Sequence, residues 1–323
     1  MTCRVCCRLL VVLGILAAVG AYGTAAQAAG DDLLFIHHSS GDGLMNEGGM
    51  RDALSAKPYV DEVNEINYGD VVAPDPGRPG SLGGVPGDLT DMWNWIWWFN
   101  DYFAGIHSFG CDDGVNRIIM FKSCFPNSDI MDDGAEPGDP SRDWHLLVDY
   151  QALYRHPDGP GNTYTYDTHT YRPLEDIFAS HPEILFINIT APSRIPAETC
   201  VDWADRARVF NNWLKNDWLS AYNAAHPDLH NVAVFDWFDI LTYPANHTGA
   251  EEYDPANDDP LGTYPVRNMT KIGYRTGDSH PGQQANIDSA AAFATQTPNF
   301  IDQAFALWEN RPPTAIGAWH LYR

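Results

Sequence analysis

The chain has 323 residues, 43 of them acidic against 19 basic, for a formal net charge of −24 at pH 7. A surface of that sign repels nucleic acid and anionic lipid, which excludes partners of both kinds. With 11 Trp, 15 Tyr and 14 Phe, the composition excludes a disordered chain, and the length suffices for a sizeable core without disulfide staples.

The first 28 residues read as a secretory signal. Arg4 and Arg8 form the basic start, residues 9–21 the apolar stretch, and Ala26-Gln27-Ala28 a small-x-small cleavage site. Cleavage leaves no stable membrane insertion, predicts a secreted or periplasmic protein, and makes the remainder more acidic still. One domain is expected over 29–323. Of six Cys, three lie in the signal. Cys111, Cys124 and Cys200 remain, and an oxidising compartment permits one disulfide of unspecified pairing and leaves one thiol.

Five β-type runs follow at 33–37, 60–67, 117–122, 184–190 and 232–237. Residues 118–121 and 184–189 are nearly continuous apolar runs, as in strands buried on both faces. Helices are predicted between and after them at 88–102, 172–181, 202–225 and 285–308, the last broken near Pro298. Strands alternating with helices predict an α/β fold: a three-layer α/β/α, flavodoxin-like parallel sheet of about five strands with long inserted loops. In such sheets, ligands bind beyond the carboxyl ends of the strands. His37, His38 and Ser39 follow the first strand, Tyr68-Gly69-Asp70 the second, and Ser123 to Asp129 the third. Gly- and Pro-rich stretches at 71–87, 132–140, 156–162 and 243–265 are candidate rims of that face. The acidic run 251–259 is a candidate Ca²⁺ loop without the ligand spacing of an EF-hand.

Serine-based chemistry needs a nucleophile, a base, a group that orients the base, and oxyanion donors. Ser39 lies past a strand and before Gly41 and Gly43, with Ser40 as its competitor. His280 lies in a polar loop before the final helix, with Asp278 two residues earlier. Cys124, beside Lys122, is a second candidate nucleophile. His38, Lys122 and Ser123 are the expected substrate contacts.

In their order, these segments resemble the SGNH/GDSL hydrolase superfamily. Phe35-Ile36-His37-His38-Ser39-Ser40-Gly41 looks like its first block, with His37-His38 where the family has Gly-Asp. Asn67-Tyr68-Gly69 looks like the second. Phe121 to Ser128 stands where the third carries Gly-x-Asn, and Asp278-Ser279-His280-Pro281 looks like the fifth. The family places its Asp three residues before His, where this chain has Gly277. The resemblance implies Ser39 as nucleophile, His280 as base and Asp278 as its orienting group. It also implies the Ser39 and Gly69 N–H groups and the Asn127 amide as oxyanion donors. The implied activity is hydrolysis or transfer of an acyl ester on a small molecule or a glycan, without cofactor or metal. Oligomeric state is not legible.

Two other readings are compatible with these residues. His37, His38 and His280 could bind the metal of a metal-dependent hydrolase. Alternatively Trp93, Trp95, Trp97 and Trp98 could stack on sugar rings in a non-catalytic carbohydrate-binding protein on the same fold.

Overall fold

The structure is a computed structural model. It describes residues 31–309 except 79, 81–84, 87–88, 113, 143–144 and 244–267. The signal segment and the acidic run 251–259 lie outside the described residues.

Five parallel strands form the central sheet: β1 (Asp31–Ile36), β2 (Val60–Ile66), β3 (Asn116–Lys122), β4 (Leu185–Ile189) and β5 (Val232–Phe235). Their order is β2-β1-β3-β4-β5, that of flavodoxin-like folds. Ile36 stands level with Ile66 on one side and Phe121 on the other, and Lys122 pairs with Ile189. All five carboxyl ends therefore share one edge of the sheet. The order reverses between β1 and β3, so the crevice for ligand opens where those two strands end.

Side chains alternate across the sheet and supply two separate cores. Leu34, Ile36, Ile119, Phe121, Phe186 and Val234 face one cluster; Leu33, Phe35, Ile118, Met120, Ile187 and Phe235 face the other. Helices α3 (Asn94–Asp101), α4 (Leu147–Tyr154), α5 (Leu174–Ala179) and α6 (Val201–Asn212) cover the first face. Helices α1 (Ser40–Asp42), α2 (Met50–Ser55), α7 (Gln283–Ala290) and α8 (Phe300–Trp308) cover the second. The result is the expected three-layer α/β/α fold.

The Trp-rich segment forms α3 because its rings have a sheet to cover. Trp95 and Trp98 are buried, and Phe99 meets Phe121, Phe178 and Phe186 edge-on at 5.0, 5.2 and 6.0 Å between centroids. Trp97 stacks on Tyr166 and Tyr171. Three of the four tryptophans thus pack against protein, in place of the sugar platform the sequence suggested. Helices α2 and α4 were not anticipated. No helix among the described residues is long and apolar enough to cross a membrane.

Candidate active site

The nucleophile candidate sits on a sharp bend between β1 and α1. The Gly41 N–H donates to the His38 carbonyl at 3.0 Å, closing a four-residue turn. Ser39 takes φ 49° and ψ −103° there, as at the first central position of a type II′ turn. A residue with a Cβ is strained in that region, at a cost of about 1–3 kcal/mol, and such strain gathers at functional sites. Gly41 lets the bend close. A Cβ on it would lie 2.6 Å from His37 Cβ and Cγ. The His37 ring is buried beneath it, 3.6 Å from the Glu65 carboxylate, which pairs with Arg51. Burial pushes the pKa of His37 down, against the pull of Glu65.

The Ser39 hydroxyl is hydrogen-bonded to His280 Nε2 across 241 residues of sequence. On the far side of the ring, His280 Nδ1 lies 3.1 Å from Asp278 Oδ1. That same oxygen accepts the backbone N–H of His280 at 2.9 Å and lies 2.9 Å from the Thr276 hydroxyl. A carboxylate accepting the N–H two residues on is an Asx turn. This turn is how an Asp only two positions away reaches the ring: it folds back over the backbone and meets the imidazole. The His280 N–H bond leads the interactions that hold the Asp278 carboxyl below the usual carboxylate range. Ser279, between them, points inward: its hydroxyl accepts the Ile195 N–H at 3.2 Å and donates to Glu198. Gly282 N–H to Tyr274 O, at 2.8 Å, closes the base of the loop. Phe125 meets the His280 ring edge-on at 4.8 Å.

Because Asp278 is exposed, with 56% of its side chain open to solvent, water screens its effect on the imidazole. Asp278→Asn is therefore expected to lower turnover by about a hundredfold, well short of the ~10⁴ lost at a buried triad aspartate. Steady-state kinetics on an activated ester check this; an unchanged kcat would remove Asp278 from the relay.

The turn after β2 lies beside that of β1. Asp70 N–H donates to Asn67 O at 3.1 Å, and Gly69 has φ 81°, as at the third position of a type II turn. Tyr68 Oη reaches His38 Nδ1 at 3.1 Å, and Asn67 Nδ2 lies 3.5 Å from Asp42 Oδ1. Gly69 and His38 are thus brought to the Ser39 side of the crevice.

Three expected roles do not survive the geometry. Asn127 is buried, and its amide donates to Asp91 Oδ1 at 3.1 Å and Cys124 O at 3.4 Å, while its oxygen accepts the Met92 N–H. It braces the loop after β3 and has no N–H left for an oxyanion. Lys122 and Ser123 are buried, not substrate contacts. Ser123 accepts the Trp95 indole N–H at 2.7 Å, and Lys122 Nζ lies under the Ser39 turn. Cys124 is buried too, its Sγ 3.3 Å from Ser40 Oγ. Burial alone would raise its pKa. Lys122, the Ser40 hydroxyl and the backbone N–H groups of Ser40 and Phe125 together bring it below the usual thiol value. Ser40 thus faces inward while Ser39 faces His280. The disulfide that an oxidising compartment permits is not formed: Cys111, Cys124 and Cys200 are free thiols. No three His, Cys, Asp or Glu side chains among the described residues cluster as metal ligands, so His37, His38 and His280 do not converge on one point.

Sequence reasoning gave no individual role to Thr276, Tyr68 and Phe125, which touch Asp278, His38 and His280. All three adjoin residues it did single out, which is the only signal available for them. Compared with protein families, curated proteins and solved structures, the chain matches none.

Proposed function

We propose that the chain is a serine hydrolase of the SGNH type, acting on ester bonds outside the cytoplasm by covalent catalysis. One observation carries the reading: a strained Ser39 at the β1–β3 crevice is joined through His280 to Asp278 in a single relay. A serine with only a structural role needs neither the strain nor the imidazole.

Ser39 Oγ attacks the acyl carbon as its proton passes to His280 Nε2. Asp278 accepts the Nδ1–H, which fixes the tautomer and stabilises the imidazolium. The tetrahedral oxyanion is met by backbone N–H groups of Ser39 and Gly69. Collapse expels the alcohol, which takes the proton from His280. Water, or an acceptor hydroxyl in a transferase, then enters by the same route to release the acyl group. No cofactor is required. An acylated carbohydrate or another extracellular ester is the substrate class we favour, on the secretory reading of the first 28 residues.

The test is a fluorophosphonate probe together with a panel of short-chain aryl and sugar esters. Near-stoichiometric labelling with loss of turnover on at least one ester is expected. Absence of both labelling and turnover overturns the reading.

A further inference from the structure

Resting on that reading, we infer that Lys122 is a positioning residue of the oxyanion hole. Its buried ammonium holds the His38–Ser39 peptide so that the Ser39 N–H faces the developing negative charge.

The backbone donors of the turn identify the group at stake. The Ser40 N–H is among the groups that lower the pKa of the Cys124 thiol. The Gly41 N–H goes to His38 O, and the Asp42 and Gly43 N–H groups go to Ser39 O. The Ser39 N–H has no acceptor among the described residues. That N–H shares its peptide with the His38 carbonyl, and it is this carbonyl that Lys122 Nζ approaches, at 3.4 Å.

The peptide needs holding. Rotating it by about half a turn would carry Ser39 from positive to negative φ. The same rotation would turn the His38 carbonyl toward the position of the N–H, where it would repel an oxyanion. Two donors on the His38 oxygen oppose this, the Gly41 N–H at 3.0 Å and Lys122. A cation at the carbonyl end also polarises the amide, which makes its N–H a better donor.

Stability does not account for Lys122. It ends the central strand, is 1% exposed, and has no carboxylate partner among the described residues. Its other contacts are the Ser123 carbonyl at 3.3 Å and the face of Trp237 at 6.0 Å. Burial pushes its pKa down, with Cys124 pulling the other way. An apolar chain of similar length is easier to bury, so the ammonium is retained for what it touches.

The experiment compares Lys122→Met and Lys122→Arg with wild type in the full chain. For Lys122→Met, kcat on an activated ester falls about 10²–10³-fold, as on losing one oxyanion donor, with KM within about twofold and the thermal midpoint unchanged or raised. Lys122→Arg restores a cationic donor, so it recovers at least about tenfold of that loss. Wild-type kcat in a folded Lys122→Met, or equal losses in both variants, overturns the inference. The crystal structure of whichever variant folds reads the peptide without reference to activity. A turned His38–Ser39 peptide in Met, or the wild-type orientation restored in Arg, supports the clamp. The wild-type orientation in Met, or a turned peptide in Arg, overturns it. If wild type neither labels nor turns over, the hydrolase reading fails, and the peptide orientation still decides the clamp.

Discussion

Replacing Ser39 by Ala is expected to abolish fluorophosphonate labelling and to lower ester turnover by about 10⁴–10⁶-fold, the scale of removing a serine nucleophile. Replacing Ser40 by Ala is expected to leave labelling intact. The two serines are neighbours, yet the turn sends them opposite ways. Ser39 Oγ meets the His280 imidazole, while Ser40 is buried against Cys124. Loss of the Ser40 hydroxyl removes one buried hydrogen bond, worth about 1 kcal/mol of stability, and touches no reacting atom. Mass spectrometry of the labelled peptide separates the outcomes. Labelling that persists in Ser39→Ala and disappears in Ser40→Ala would reverse the assignment.

Gly41→Ala is expected to damage both stability and labelling. Its new Cβ would stand 2.6 Å from two carbons of His37, a separation at which something must move. The ring cannot retreat easily, because it is fully buried and lies 4.4 Å from Phe35. The backbone would yield instead, and the yielding segment is the Ser39 turn. Overpacking of this kind costs about 1–3 kcal/mol, or about 2–5 °C in thermal midpoint for a domain of this size. Labelling should slow more than stability alone explains, since the hydroxyl leaves the imidazole. The cause is tested by a double-mutant cycle. His37→Gly removes both carbons, so Gly41→Ala on that background should cost at least about 1 kcal/mol less. Additive losses would mean that the collision with His37 is not the cause.

The sheet was legible because its signal is local. Residues 118–121 and 184–189 read as strands buried on both faces, and β3 and β4 lie there at interior positions of the sheet. Helix α4 was missed because Asp149, Tyr150, Ala152, Leu153 and Tyr154 are all buried, which leaves no polar face to set a period. Ser39 and His280, which the structure pairs, could be picked out because each stands beside a glycine-bearing turn or in a polar loop. Asn127 and Lys122 were misjudged for the opposite reason. Each is a polar residue after a strand, a usual place for a ligand contact, and the partners that bury them lie 35 and 84 residues away. The reach of Asp278 also escaped the sequence, since an Asx turn is decided by backbone angles that a two-residue spacing does not reveal.

The loop that carries His280 has one more consequence. Its base and its carboxylate come from a single segment, closed on itself by the Gly282–Tyr274 bond and pinned inward by Ser279. The two groups therefore arrive and depart together. Prying this loop loose would remove the proposed proton acceptor and orienting charge at one stroke, so on the hydrolase reading inactivation there is switch-like rather than graded. By the same logic the segment is a portable cassette, which could be exchanged whole between scaffolds without re-fitting the aspartate to the histidine.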